Sequence, residues 1–473
     1  MDVRGGSGVN RIASRPVTTL LYVAAVLGMF LSMCSPASAL PAFARKYGMP
    51  CSSCHEAWPK LSPFGQQFKD NGYQMGNDRD APIFQSPAYW PVTFRITPQW
   101  HRESTNKVQV DGPNGIGGNE AQVTTHGFDW SGLDFHTAGT LAKDYSFYVL
   151  PSSDNTGAFH FEAVWARLDN IAGSSWLNIK LGKFELDNLL SEKRILTLTS
   201  ISGVYTNYHF QPLYRPGVTE NPNFVFGIGD NQVGVEWLGH SKDDRTRVSA
   251  SLLSSNDGSP GLPTSRGYDG FFTASRAFQL GSLGLQRVGG FAYIGQAPTF
   301  FQFTNGGPTA GIPGTGIGNK GYQRYGLIGM WYLRKFDITT MYFHSTDSAW
   351  LASNTPALPG ATLPLGAHSP SWNGGLFESH YNLNPQLILI NRYELVRMSQ
   401  QAFTGDGVNP ANPSNFGNTD VLTFGLRYYP FISSRAGFAY HAEYAILRQR
   451  GASPVTATDL TSSSLLLGFD FDF

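Results

Sequence analysis

Cys51, Cys54 and His55 stand in the run Cys51-Ser52-Ser53-Cys54-His55, and one chemistry uses all three. Two thiols separated by two residues span the two vinyl groups of a porphyrin and add to them as thioethers, while the next imidazole reaches the iron. A redox dithiol would need a βαβ setting that the surrounding sequence lacks. A zinc half-site would need two further ligands at similar spacing. The chain holds 3 cysteines in all. The spacing predicts one covalently bound haem c on Cys51 and Cys54, with His55 as proximal axial iron ligand, and a part in electron transfer.

The start of the chain agrees with that chemistry. Arg4, Arg11 and Arg15 form a basic region, residues 20–33 are apolar, and Ala37-Ser38-Ala39 is an A-x-A cleavage site. The apolar stretch is shorter than the roughly 20 residues a helical span needs, which favours a cleaved signal peptide over an anchor. Cys34 is no lipoprotein site, because Met33 before it is too large. It leaves with the leader, so both remaining cysteines belong to the haem and no disulfide forms within the chain. The expected organisation is a signal peptide over 1–39, a monohaem cytochrome c segment over 40–89 and a barrel over 90–473.

Composition describes the rest. Charged residues make up 14%, aromatics also 14%, glycines number 53, and the net charge is +0. Soluble proteins carry about a quarter charged residues, and a neutral chain has no electrostatic footprint for nucleic acid. No apolar block after residue 40 is long enough for a membrane helix. Alternation then separates a membrane barrel from a soluble sandwich. Val92, Phe94 and Ile96 alternate with Thr93, Arg95 and Thr97, and Gln99 and His101 continue the polar series. Leu177, Ile179 and Leu181 alternate with Asn178, Lys180 and Gly182; Tyr325, Leu327, Gly329, Trp331 and Leu333 share one face. Near the end, Leu465, Leu467, Phe469, Phe471 and Phe473 oppose Gly468, Asp470 and Asp472. Apolar toward lipid and polar toward the lumen is the outer-membrane barrel pattern, and a terminal Phe resembles the signal read by barrel-assembly machinery.

Tight turns fall near 142–144, 172–175, 240–245, 281–284, 334–336, 382–385 and 430–435. Longer polar segments lie near 103–120, 151–158, 186–229, 254–267, 298–320, 348–371, 400–418 and 450–462. Alternated, they predict a mainly β chain: a 16-stranded antiparallel outer-membrane barrel with both ends in the periplasm. Residues 186–198 could form a short helix in the third loop.

In the haem segment, Ser62 and Pro63 read as N-cap and first position of a short helix. Phe64 and Phe68 lie four apart on its haem-facing side, and Gly72 ends it. A unit of this size is marginal alone, and a 16-stranded barrel has a lumen wide enough to hold it. The small helical segment is therefore expected to plug or cap the lumen from the periplasmic side. Met75, just past the helix, is the candidate distal ligand, because a thioether there would raise the haem potential. Its alternative role is ordinary core packing. Met49 is too close to Cys51 to reach the distal face without strain, and His101 is a further candidate. No other histidine shows a metal-site spacing.

The stretch Ala42-Phe43-Ala44-Arg45-Lys46-Tyr47-Gly48-Met49-Pro50-Cys51-Ser52-Ser53-Cys54-His55, then Trp58-Pro59-Lys60-Leu61-Ser62-Pro63-Phe64-Gly65 and Phe68-Lys69-Asp70-Asn71-Gly72-Tyr73, resembles the fused monohaem cytochrome–porin family. That family joins a short c-type cytochrome to an outer-membrane barrel, and its best-known members are iron oxidases of iron-oxidising bacteria. Over the barrel the resemblance is one of architecture only. It implies extracellular Fe(II) as electron donor, a periplasmic cytochrome or copper carrier as acceptor, and outer-membrane lipid around the barrel. The activity implied is Fe(II):cytochrome c oxidoreduction, an electron transfer without bond chemistry. Asp111, Glu120, Asp154, Glu220 and Asp230 are hard ligands that could meet Fe(II), or simply solvated loop charges. Other readings remain: a solute porin whose haem is structural or sensory, a conduit for a donor other than iron, and a soluble periplasmic β-rich redox enzyme.

Overall fold

A computed structural model describes residues 43, 47–49, 53–57, 60–73, 75, 92–110, 119–153, 156–186, 231–254, 268–298, 319–352, 357, 359–363, 365, 369, 371–384, 386–398, 418–432, 437–450 and 458–472. Cys51, Phe473 and the possible helix over 187–198 lie outside these residues.

Sixteen antiparallel strands close on themselves. A two-stranded ladder, β1 (His55–Ala57) and β2 (Lys60–Leu61), and helix α1 (Pro63–Asp70) precede them. The wall then runs β3 (Val92–Val110), β4 (Asn119–Ala142), β5 (Tyr145–Ser153), β6 (Phe159–Leu168), β7 (Asn178–Glu185) and β8 (Asn231–His240). It continues through β9 (Thr246–Ser254), β10 (Tyr268–Gln279), β11 (Leu285–Pro298), β12 (Asn319–Leu333) and β13 (Phe336–Asp347). A single turn of helix, α2 (Ala349–Ala352), precedes β14 (Ser371–Asn384), β15 (Leu387–Met398), β16 (Thr419–Ile432), β17 (Gly437–Gln449) and β18 (Leu460–Asp472). Each strand pairs with its sequence neighbour, and β18 closes on β3 with Asp472 opposite Arg95. The expected turns and long connections all fall where the sequence places them, with one difference. The first long connection is only 111–118, because β3 and β4 stay paired up to Val110 opposite Asn119. Both faces of the upper hairpin carry polar residues, such as Ser104, Thr105, Asn106 and Lys107 on β3 and Gln122, Thr124 and Thr125 on β4, so the alternation that marks a strand fades while the backbone ladder continues.

Closure satisfies every ladder hydrogen bond without an edge, which is what a chain in hydrocarbon requires. The outward face carries the apolar side chains. Phe128, Leu327 and Leu252 are exposed, with Tyr145, Trp176, Phe336 and Tyr440 near the tight-turn end and Phe159, Phe161 and Tyr268 toward the other. An apolar belt between aromatic girdles is the outer surface of a membrane-spanning barrel.

The inward face mixes buried apolar with buried polar and charged side chains. Leu150, Leu253, Phe271, Phe343, Trp372 and Val421 point inward, each at 2% exposure or less, and belong to one buried apolar cluster with Phe68 and Tyr73 of the N-terminal segment. Charged inward groups are buried in pairs. Arg392 Nε lies 2.6 Å from Glu378 Oε2, and Glu378 Oε1 is 2.6 Å from His380 Nε2. Arg427 pairs with Asp470, 3.3 Å from His441 Nδ1. Arg95 pairs with Asp134, and Lys180 with Glu236.

Removing one member of a buried pair strands its partner's charge, at about 3–5 kcal/mol. Lys180→Met should therefore destabilise the barrel by about that much, read as a lower unfolding midpoint in a heat-modifiability assay. Adding Glu236→Gln should recover most of the loss. Equal midpoints for the single and double variants would show that the pair is not the determinant.

Candidate functional site

Local sequence shapes the N-terminal segment. Ser62 has extended backbone angles, φ −67° and ψ 166°, and its Oγ accepts a hydrogen bond from Gly65 N at 3.0 Å, with Pro63 in the first turn. That is the expected N-cap. At the other end Tyr73 N donates to Phe68 O at 2.9 Å and Gly72 N to Lys69 O at 3.2 Å, a Schellman motif with Gly72 left-handed at φ +77°. Tyr73 is left-handed too, at φ +60°, which costs a residue with a Cβ about 1–2 kcal/mol.

Ser62 also holds the motif. Its Oγ donates to Ser53 O at 3.1 Å and its N to Cys54 O at 2.8 Å. Cys54 and His55 are half-buried. Burial pushes the Cys54 thiol up to about 11, so it stays neutral at ordinary pH.

Aromatic packing surrounds the helix. The Phe43 ring stacks on Tyr73 with centroids 5.1 Å apart and meets Phe68 edge-on at 4.9 Å; Tyr47 meets Phe68 at 5.7 Å. Met75 packs, partly buried, against the same cluster. Phe68 is buried but Phe64 is exposed, so the two do not share one environment. The packed face includes Gly65, Gln66 and Phe68, all buried, and leaves Phe64 at its edge.

The barrel wall completes the seat. Tyr73 stacks against Tyr148 of β5 at 6.3 Å and Trp165 of β6 at 6.1 Å. Lys69 Nζ pairs with Glu185 Oε2 at 2.8 Å. Arg167 donates to Lys69 O, and Thr140 Oγ1 to Gly72 O, each at 3.3 Å. Thr140 and Arg167 flank tight turns, so the helix C-terminus sits in the lumen at the tight-turn end. No spacing rule in the sequence points to Thr140, Tyr148, Trp165, Arg167 or Glu185, because these contacts join residues far apart in the chain.

The described donors of the motif are the half-buried Cys54 thiol and the His55 imidazole beside it, clamped to a helix whose Phe68 packs with Phe43, Tyr47, Tyr73 and Met75 in one apolar cluster; these groups are of the kinds a covalent haem would need. His101 lies elsewhere. It faces Gly127 across the β3–β4 ladder, 13 residues along β4 from Thr140, or roughly 40 Å of strand, and its Nδ1 is 2.5 Å from Asp129 Oδ2. Glu120 is a strand residue with its Oε2 3.3 Å from Lys107 Nζ, not a loop carboxylate. Asp111, Asp154, Glu220 and Asp230 lie outside the described residues. Among the described residues no three His, Cys, Asp or Glu side chains converge on a metal-sized site.

No protein-family model and no curated protein matches the chain. Solved structures do. The anion-selective porin from Comamonas acidovorans is similar with TM-score 0.48 and 10% identity, covering 81% of this chain and 99% of that one. The outer-membrane channel DcaP of Acinetobacter baumannii gives 0.45 and 11%, covering 82% and 99%. A loop-deletion form of OmpT from Vibrio cholerae gives 0.43 and 12%, covering 81% and 100%. The closed 16-strand architecture rests on the strand pairing itself.

Helix α1 has 8 residues, too few to be stable alone, so its order depends on the seat. Tyr73→Ala should cost the docked segment about 3 kcal/mol. Hydrogen exchange should then show the amides of α1 losing most of their protection while the strands keep theirs. Unchanged protection of α1 would mean that Tyr73 is not its anchor.

Proposed function

We propose that this chain is an outer-membrane electron conduit that takes one electron at a time from extracellular Fe(II) and delivers it to a periplasmic cytochrome or copper carrier. A closed barrel of even strand number with an apolar belt suits the outer membrane. The reading is carried by one observation: the Cys54–His55 end of the haem-attachment motif is clamped to a capped helix that is seated inside a barrel with a buried inner face.

Cys51 and Cys54 would hold the haem by thioethers, with His55 below it and Met75 as distal candidate. Bound there, the group supplies one-electron chemistry between ferric and ferrous states. The chain's own residues orient and insulate. Ser62 fixes the motif, Phe43, Phe68 and Tyr73 keep water away, and the contacts of Lys69 and Gly72 with the wall hold the unit at the periplasmic end. The ferrous ion is substrate; it loses one electron and no bond is made or broken.

A second reading has its own support. Sixteen closed strands are also the architecture of solute porins, in which a haem would be structural or sensory. The buried inner wall favours the conduit. Anaerobic mixing of purified protein with Fe(II), watched at the reduced haem band, should give rapid reduction, while planar bilayers should show no stable open conductance. Open-channel steps together with a haem that Fe(II) leaves oxidised would establish the porin instead.

Ligand variants test the site. Cys51→Ala or Cys54→Ala should leave a single thioether, and the double change should abolish covalent haem, so haem stain on the denatured double variant would overturn the assignment. Met75→Ala should keep the haem attached but lower its potential, because a thioether favours the ferrous state. If the near-infrared thioether–iron band survives in that variant, Met75 is a packing residue only.

A further inference from the structure

Gly65 is the third residue of α1, where alanine would make a better helix by about 1 kcal/mol. Its conformation needs no glycine; its neighbour does. A Cβ built on Gly65 would lie 2.0 Å from Cys54 O, 2.8 Å from Cys54 C and 3.0 Å from Cys54 Cα. Those atoms are backbone, so no side chain can swing aside to make room. The same carbonyl oxygen accepts Ser62 N at 2.8 Å, and Ser62 Oγ joins Ser53 O to Gly65 N. Two residues of the helix start thus press the turn that carries Cys54 and His55 directly onto the helix backbone.

We infer that Gly65 and Ser62 are positioning residues for haem attachment: their close approach to Ser53 and Cys54 sets where the Cys54 thiol and His55 imidazole stand relative to the apolar face of Phe68. This rests on the haem reading proposed above and assigns to the helix start a role beyond capping. An added methyl at Gly65 would have to lift the Cys54 carbonyl off the helix, breaking the Ser62 N bond and carrying the adjacent thiol and imidazole away with it. Cys54 and the residue after it are what these contacts hold, so the damage falls on the second thioether and on the iron ligand.

The test uses the full-length, membrane-inserted protein with Gly65→Ala, Ser62→Ala, Ser62→Thr and Gln67→Ala, the last an exposed position on the same helix. Covalent haem per barrel and the alkaline pyridine haemochrome spectrum, whose α band reports one thioether or two, are measured on each. Gly65→Ala should lose covalent haem several-fold and shift the remainder toward the single-thioether spectrum. Ser62→Ala should do so more mildly, Ser62→Thr should restore attachment, and Gln67→Ala should match wild type. Heat-modifiability should be unchanged throughout, because none of these residues belongs to the barrel wall. A role in helix stability alone predicts the reverse sign at Gly65, since alanine strengthens the helix. A haem-replete wild type beside a Gly65→Ala variant with full haem and the two-thioether spectrum would overturn this proposal alone. A wild type without covalent haem would overturn the haem reading and this inference with it.

Discussion

A backbone amide in hydrocarbon has no water to bond, and the rest of this molecule follows from that. Strands can satisfy the constraint only by closing, and closing sixteen of them encloses more space than their own inward side chains fill. Closure therefore solves the outside and creates a problem inside. A solute porin leaves that space to water. Here the inner wall carries Phe271, Phe343, Trp372 and Val421, which water would not stabilise, and the wall is buried. The N-terminal helix, too short to stand alone, and an apolar inner wall that must be kept from water answer each other's need.

The seat joins two kinds of interaction with different tasks. Tyr73 against Tyr148 and Trp165 supplies apolar area, which is strong but tolerant of sliding. Thr140 bonds Gly72 O just past the helix end, and Arg167 adds a second donor to Lys69 O, which already accepts Gly72 N. Those bonds are directional, so they fix the helix end where stacking alone would let it shift. Tyr73 belongs to both sets. Its left-handed backbone completes the helix stop, and its ring is the wedge, so the strain is held by the same packing that uses it.

How much of this could be read from sequence depends on range. Strand alternation, tight turns, the Ser62–Pro63 start and the Gly72 stop are local, set by residues within a few positions, and the molecule has them where spacing places them. Alternation failed to mark the top of β3 and β4, where both faces carry polar residues. It is weaker along Ile328-Gly329-Met330-Trp331-Tyr332-Leu333, where Ile328 and Met330 on the buried inner face are apolar too. The site divides the same way. Spacing singles out Cys54, His55 and Met75 as candidates, but the seat of the segment on β4–β7 is not legible, because Thr140 and Gly72, or Lys69 and Glu185, meet only after the barrel closes. Gly65 left one local trace, a glycine inside a helix, without the partner that explains it.

The buried charges need a different account, since a buried ion pair is weak evidence of stability and often no better than apolar residues of the same volume. Their register suggests what they do. Glu378 stands directly opposite Arg392, Asp134 opposite Arg95 and Glu236 opposite Lys180. Along β3, β7 and β18 the alternation already sets which face turns inward, and the paired charges there lie on that polar face. A slip of one would turn each of these charges outward, and an Arg or Lys facing lipid near the bilayer midplane costs about 2–4 kcal/mol. Paired charges on the inner wall thus reinforce the register that the alternation sets.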